Sequence, residues 1–198
     1  MTEQRPHVII IGGPNGAGKS TTAPVLLKGT LGVTEFVNAD TLALGLSAFQ
    51  PESVAFHAGR IMLERIRFLA KGRVDFAFET TLASRTFATW VDELKKTGYI
   101  FHLVFLWLPN PEFALARVAE RVRMGGHNVP DEIVKRRYNK GIRNFFWLYM
   151  SLADTWAFYD NSVAGTLTPL ASGGMGISTL IANENRLVWK QILEEHNG

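Results

Sequence analysis

The stretch Gly13-Pro14-Asn15-Gly16-Ala17-Gly18-Lys19-Ser20 decides the fold of this 198-residue chain. It has the pattern Gly-x-x-x-x-Gly-Lys-Ser, follows a β-branched run at residues 7–11 and precedes a helical pattern. Glycines at these positions let successive backbone N–H groups turn inward around phosphate oxygens. The start of the helix adds unpaired donors and a partial positive charge. The pattern therefore predicts a strand, a phosphate-binding loop and a helix. A glycine-rich turn without a ligand is the alternative.

The same loop predicts a nucleoside triphosphate site with defined roles for two side chains. We expect Lys19 to reach the β- and γ-phosphates and the Ser20 hydroxyl to hold Mg²⁺. The residues predicted to bind the nucleotide are Gly13, Pro14, Asn15, Gly16, Ala17, Gly18, Lys19, Ser20 and Thr21.

Outward from the loop, apolar runs alternate with helical patterns. This alternation predicts one doubly wound α/β domain over residues 1–198, with a mainly parallel sheet covered on both faces. Strands are predicted at 7–11, 35–38, 75–79 and 100–108, with a closing pair near 166–171 and 177–182. Helices are predicted at 18–28, 51–71, 84–97 and 111–124, from 130 with breaks to 159, and at 183–195.

Two acids follow predicted strands, at the sheet edge where open α/β proteins bind ligands. Glu79 is placed to hold Mg²⁺ directly or through water, and Asp40 to accept the proton of an attacking hydroxyl. Each acid has a second interpretation as a helix cap. Thr80, Thr81 and Arg85 suit recognition of a polar, phosphorylated substrate, although a plain turn explains each of them equally well.

Positive charge is concentrated in residues 117–143, which hold eight basic and three acidic side chains and so carry a net +5. The whole chain has a net charge of only +3. Two predicted helices here flank the glycines at 125–126. This form is typical of a lid that brings arginines onto a transferred phosphoryl group and excludes water. A solvated basic hairpin and a nucleic-acid patch are the alternatives.

Composition excludes several classes of function. The chain has no cysteine, which rules out disulfides, thiolate metal sites and a cysteine nucleophile. No stretch approaches the roughly 20 apolar residues of a membrane span, so we expect a soluble, cytoplasmic protein that does not bind membranes. The aromatic residues between 145 and 159 are interpreted as core or as a partner-facing surface rather than as a platform for stacking bases.

Specific motifs stand at residues 13–22, at Asn38-Ala39-Asp40, at Glu79-Thr80-Thr81-Leu82, at Arg121-Val-Arg-Met-Gly-Gly-His-Asn-Val-Pro130, and at Arg136-Arg137-Tyr138. With them the chain resembles the zeta-toxin kinases, and more closely the short zeta-like proteins known as predicted ABC-type ATPases. The stretch Tyr159-Asp160-Asn161-Ser162 also resembles this family. The resemblance covers residues 7–182 and implies an adenylate-kinase-like P-loop fold with a helical lid.

The resemblance also implies an activity, which is ATP-dependent phosphorylation of a sugar hydroxyl on UDP-N-acetylglucosamine or a related nucleotide sugar. In that activity Lys19 binds the ATP phosphates, Asp40 is the catalytic base, and Glu79 binds substrate or metal. Arg121 and Arg137 stabilise the transferred phosphoryl group, with Arg117 and Arg136 as alternates. The implied partner is a small antitoxin protein.

Two other functions remain open from the residues alone. An ABC-like ATPase would couple hydrolysis to a partner, but its Leu-Ser-Gly-Gly-Gln signature is absent and residues 172–176 are the nearest match. A polynucleotide kinase would use the basic segment as a track for the nucleic-acid backbone. The acidic remainder of the chain argues against that track, so we expect no nucleic-acid partner.

Overall fold

Strand β1 (His7–Gly12) lies inside a seven-stranded sheet with the order β2-β3-β1-β4-β5-β6-β7. The other strands are β2 (Glu35–Val37), β3 (Phe76–Thr80), β4 (Ile100–Trp107), β5 (Thr155–Asp160), β6 (Thr168–Gly174) and β7 (Ile177–Ile181). Strands β1 to β5 are parallel, and β6 and β7 add antiparallel. A computed structural model gives this architecture and describes residues 5–126, 128–182 and 185–196.

Helices connect the strands and cover both faces of the sheet. They are α1 (Lys19–Pro24), α2 (Ala39–Leu46), α3 (Ala55–Lys71), α4 (Thr86–Lys96), α5 (Pro111–Arg123), α6 (Asp131–Asn144), the short α7 (Met150–Leu152) and α8 (Arg186–His196). π-helical turns extend α1 over Val25–Leu31 and α6 over Phe145–Tyr149. The doubly wound α/β fold predicted from the alternating patterns is confirmed.

Side chains of β1 alternate between two cores, which is what a sheet buried on both faces requires. Val8 and Ile10 pack with residues of α3, α4 and α8, whereas Ile9 and Ile11 pack with residues of α1, α5 and α6. All four side chains are almost completely buried. The loop after β1 is therefore held from both sides by packed helices.

The prediction of a broken helix reaching residue 159 is wrong, because its last part is strand β5. Trp156 and Phe158 are buried, and they alternate with half-buried neighbours as strand residues do. The strand pairs parallel with β4 and antiparallel with β6. A dense run of aromatic residues hid this alternation. Phe145, Phe146 and Tyr149 are also buried, whereas Trp147 is half exposed, so the aromatic segment is partly core and partly surface.

Some predictions concern residues outside the described ranges, namely His127 in the glycine-rich tip and Asn183 at the start of the predicted last helix. Among the residues that the structure describes, no helix combines the length and the apolar character that crossing a membrane requires.

Candidate active site

A cavity of about 500 Å³ opens where β1, β2 and β3 end, between the phosphate loop and the α5–α6 hairpin. It gathers most of the predicted site residues, which are Asn15, Gly16, Gly18, Lys19, Ser20, Thr21, Asp40, Glu79, Thr80, Thr81, Arg121 and Arg137. The predicted residues absent from its lining are Gly13, Pro14, Ala17 and Arg85. Arg85 is exposed at the N-cap of α4, so its assignment to substrate remains a prediction.

The phosphate loop is shaped by glycines that no other residue type replaces easily. Gly16 and Gly18 have φ of +80° and +75°, in the left-handed region that side chains disfavour. A Cβ atom on Gly16 would lie only 2.8 Å from the carbonyl oxygen of Ala114 in α5. A Cβ on Gly18 would lie 2.8 Å from Nδ2 of Asn161. Helix α5 and the segment after β5 therefore pack directly on the loop backbone.

Lys19 is buried under this loop, and its ammonium group donates to the carbonyl oxygens of Gly13 at 3.0 Å and Pro14 at 2.9 Å. Burial lowers the pKa of Lys19, while the carboxylates of Glu79 and Asp40 act in the opposite direction. The side chain spans the loop from below, so its charge lies among the backbone groups that would surround phosphate oxygens.

Ser20 and Glu79 meet at the wall of the cavity. The Ser20 hydroxyl donates to Oε2 of Glu79 at 2.8 Å and accepts a hydrogen bond from Nδ2 of Asn38 at 3.1 Å. A hydroxyl and a carboxylate side by side are oxygen ligands of the kind that Mg²⁺ prefers. These two residues fit the predicted metal position.

The structure also distinguishes the two interpretations of the acids. Asn38 is the N-cap of α2, and its Oδ1 accepts from the backbone N–H groups of Asp40 and Thr41. Asp40 therefore lies in the first turn of α2, and its carboxylate is not the helix cap. Its Oδ2 lies 3.9 Å from Nη1 of Arg121. Glu79 lies inside β3 and accepts the Ser20 hydroxyl. Both acids line the cavity.

Helices α5 and α6 form the predicted hairpin, and its arginines occupy different environments. Arg121 and Arg137 line the cavity, whereas Arg136 is exposed and lies outside the lining. Burial lowers the pKa of Arg137, and its Nη1 donates to Oδ1 of Asn15 in the phosphate loop at 3.5 Å. Arg117 also lines the cavity, but its guanidinium donates to the carbonyl oxygen of Ser162 at 2.7 Å.

The turn after β3 is clamped by α6. Leu82 has φ of +57° although it carries a side chain, and that side chain is fully buried. Its N–H donates to Oγ1 of Thr80 at 3.2 Å, and its carbonyl oxygen accepts from Nδ2 of Asn144 at 2.7 Å. Gly141 allows the α6 backbone to touch the carbonyl of Thr81, where a Cβ atom would overlap with it. Thr80 and Thr81 are thus held in place relative to α6.

Sequence reasoning missed several cavity residues. Met62 of α3, Phe87 of α4 and Glu120 of α5 line the cavity without belonging to any motif, and Met124 lines it from a quoted motif in which it was assigned no role. Asn38 and Asn161 stand inside quoted motifs, but neither residue was assigned a role. Asn161 is buried and its Nδ2 donates to the carbonyl oxygen of Ala17 at 2.8 Å. The contact of this buried amide with the glycine-rich loop can be recognised only once the fold is known.

Residues 8–144 match the family model described as AAA domain. A Haemophilus influenzae protein described as uncharacterized is 30% identical over 126 residues, which cover 64% of this chain and 88% of that protein.

Two solved structures share the fold. A chain of the AvrRxo1-ORF1:-ORF2 complex with ATP has a TM-score of 0.72 at 19% identity and matches 95% of this chain. This chain spans 63% of the length of that one. A chain of the PezAT chromosomal toxin–antitoxin system of Streptococcus pneumoniae has a TM-score of 0.65 at 16% identity, covering 100% of this chain and 86% of that one. The expected P-loop fold, a mostly parallel sheet flanked by helices, is confirmed.

Proposed function

The chain belongs to the AAA domain family, and from that premise we propose that it is an ATP-dependent phosphotransferase whose acceptor is the hydroxyl group of a small molecule. One observation carries the proposal. A single cavity combines a phosphate loop, the carboxylate of Asp40 and two arginines from a separate hairpin. Hydrolysis alone requires only a positioned water, whereas transfer to a hydroxyl requires a base for the acceptor and a site from which water is excluded.

The proposed reaction assigns a task to each group. Asp40 accepts the proton of the acceptor hydroxyl while the acceptor oxygen bonds to the γ-phosphorus and the bond to the β–γ bridging oxygen breaks. The cationic side chains of Lys19, Arg121 and Arg137 stabilise the negative charge that spreads over the phosphoryl oxygens in the transition state. Ser20 and Glu79 would hold Mg²⁺, which neutralises charge on the nucleotide phosphates when bound.

For the acceptor, we propose UDP-N-acetylglucosamine or a related nucleotide sugar. The motifs shared with the zeta-toxin kinases support this substrate, and so do the hydroxyls of Thr80 and Thr81, which line the same cavity as Asp40. We further propose that the protein acts as a toxin held inactive by a small antitoxin. The AvrRxo1 structure is an ORF1:-ORF2 complex and the PezAT structure is of a toxin–antitoxin system, which supports such a partner.

The test is transfer of γ-labelled phosphate from ATP to a panel of nucleotide sugars by the wild type and by Asp40→Asn. We expect a phosphorylated sugar with the wild type and a rate about 10²–10⁴-fold lower with Asp40→Asn, at unchanged ATP affinity, because a general base contributes about that much. Asp92→Asn is the matched control, since Asp92 pairs with Lys96 on the exposed side of α4. Release of inorganic phosphate without labelling of any acceptor would refute the proposal.

A further inference from the structure

Asn38 occupies an unusual position between two functional elements. It follows β2 directly, its side chain is only 5% exposed, and both ends of its amide are bonded. Oδ1 accepts from the backbone N–H of Asp40 at 2.7 Å and of Thr41 at 3.1 Å. Nδ2 donates to the hydroxyl of Ser20 at 3.1 Å. A single buried side chain thus connects the proposed base to the proposed metal ligand.

We propose that Asn38 is a positioning residue, which fixes the place of Asp40 and the orientation of the Ser20 hydroxyl at the same time. This inference rests on the proposed phosphotransferase function. Asn38 also lines the cavity, but both ends of its amide already bond protein groups. It acts through the first turn of α2 on one side and through the first turn of α1 on the other.

The chemistry of the donors fixes the direction of every hydrogen bond that links Asp40, Asn38, Ser20 and Glu79. Backbone N–H groups can only donate, so the oxygen of the Asn38 amide must face Asp40 and Thr41. Its nitrogen then faces Ser20, and an amide nitrogen can only donate. The Ser20 oxygen is therefore the acceptor of this bond, and the Ser20 proton is directed to Glu79. No alternative assignment of the amide satisfies the same partners.

This direction has a consequence for ligand binding. A serine hydroxyl has one proton and two lone pairs. The Ser20 hydroxyl donates its proton in a hydrogen bond to Glu79, and one of its lone pairs accepts the hydrogen bond from Asn38. One lone pair therefore remains on a residue that lines the cavity. Asn38 thereby restricts the hydroxyl to one rotational state, with a single electron pair available to a cation. Groups that orient metal ligands in this way typically affect metal affinity or activity by about 10–100-fold.

Two substitutions separate positioning from helix capping. Asn38→Ser keeps a good N-cap residue but is too short to reach Ser20, whereas Asn38→Asp keeps the cap and the shape but replaces the donor with an acceptor. Asn110→Ser is the matched control. Asn110 caps α5 by accepting from the N–H of Phe113 at 2.8 Å, is exposed and lies outside the cavity lining.

The first readout is equilibrium binding, namely the ratio of ATP dissociation constants in EDTA and in Mg²⁺. We expect Asn38→Ser and Asn38→Asp to lower this ratio about 10-fold or more relative to wild type, and Asn110→Ser to leave it unchanged. The second readout is steady-state transfer. We expect kcat to fall about 10-fold or more in both Asn38 variants, with KM for the acceptor within about 2-fold.

Thermal unfolding of the three variants completes the test. If both Asn38 variants keep the wild-type Mg²⁺ ratio and kcat, and lose no more stability than Asn110→Ser, Asn38 is only a cap and the inference is wrong. If Asn38→Ser fails to fold, Asn38→Asp decides by the same two readouts. The binding ratio needs no acceptor, so a failure of the proposed kinase reaction is distinguishable from a failure of this inference.

Discussion

The phosphate loop and the α5–α6 hairpin face each other across one cavity. The loop contributes mainly backbone groups to it, whereas the hairpin contributes side chains. The loop contributes backbone, with left-handed glycines and a lysine buried beneath it. The hairpin contributes long charged side chains, since Arg121 and Arg137 extend into the cavity from two helices. The loop should therefore be sensitive to any added Cβ atom, and the hairpin to any loss of charge.

The two regions also differ in how firmly they are attached. The hairpin is fixed at both ends, because Arg117 bonds the carbonyl oxygen of Ser162 and Asn144 bonds that of Leu82. Its tip has one described bond to a distant segment, from the N–H of Asn128 to Oε1 of Glu52 at 3.3 Å. We therefore expect any closing movement of the predicted lid, residues 117–143, to be confined to the part between its two anchored ends.

Removal of a hairpin charge is the strongest test of this contrast. We expect Arg121→Ala to lower kcat by about 10³-fold while ATP affinity changes no more than about 3-fold, because an arginine on the transferred group acts mainly in the transition state. Transfer kinetics and ATP titration measure the two quantities. Arg123→Ala is the control, since Arg123 is exposed on the same helix. An equal loss in both variants would mean that the net charge of the segment matters rather than one position.

An added methyl group in the loop tests the other side of the contrast. Gly16→Ala forces a side chain into left-handed backbone and against the Ala114 carbonyl. We expect ATP affinity to fall about 100-fold and the free energy of unfolding to fall by about 1–3 kcal/mol. Gly59→Ala in α3 has open space around its Cβ and should raise stability by about 0.5–1 kcal/mol. Wild-type ATP binding by Gly16→Ala would show that the loop tolerates a side chain.

Loss of the hairpin anchor should have a smaller effect that is mainly structural. Arg117→Ala removes a charged hydrogen bond to the Ser162 carbonyl and a contact with the ring of Phe113. We expect the free energy of unfolding, measured in urea, to fall by about 1.5 kcal/mol. Transfer should decline about 10-fold because the hairpin loses its support. A decline as large as that of Arg121→Ala would instead place Arg117 on the reacting group.

Titration of a histidine pair far from the cavity should affect neither region. His7 and His102 stack at the opposite end of β1 and β4, with Nδ1 of His7 2.8 Å from Nε2 of His102. Burial, together with the neighbouring imidazole of His7, lowers the pKa of His102 below its ordinary 6.5. The unfolded chain therefore binds this proton more readily than the folded one.

The contribution of His102 to stability should accordingly be constant above about pH 6.5 and fall as the pH drops below it, by no more than about 1.4 kcal/mol per pH unit. Thermal unfolding from pH 8 to pH 5 measures this, and His102→Gln should reduce the decline. ATP affinity per folded molecule should not change with this substitution. A changed affinity in His102→Gln would show that the far end of the sheet communicates with the cavity.

The sequence predicted the elements whose chemistry is local. The loop pattern, the acids at Asp40 and Glu79 and the paired helices of the hairpin each depend on residues close together in the chain, and all of them border the cavity. The strand at 155–160 was missed because its aromatic residues obscured the two-residue period. Helix α2 is not among the predicted helices, and its N-cap is Asn38 rather than Asp40, the residue considered as a cap.

Contacts between residues far apart in the chain could not be predicted from the sequence. The amide of Asn161 lies 144 positions from the carbonyl of Ala17 that it binds. Met62 and Phe87 belong to helices whose apolar faces predicted only core packing, yet both reach the cavity. Such residues acquire a role through the order of strands in the sheet, and that order follows from the packing of the whole chain.

The central place of β1 has a consequence for synthesis on the ribosome. This strand pairs with β3 and β4, so the first described strand of the chain has no neighbour until residues 76–80 and then 100–107 have emerged. The Asn161 bond to the loop forms later still. The nucleotide site begins with the loop at residues 13–20 and is completed only after residue 161 has been translated. A nascent chain shorter than this should be unable to hold ATP.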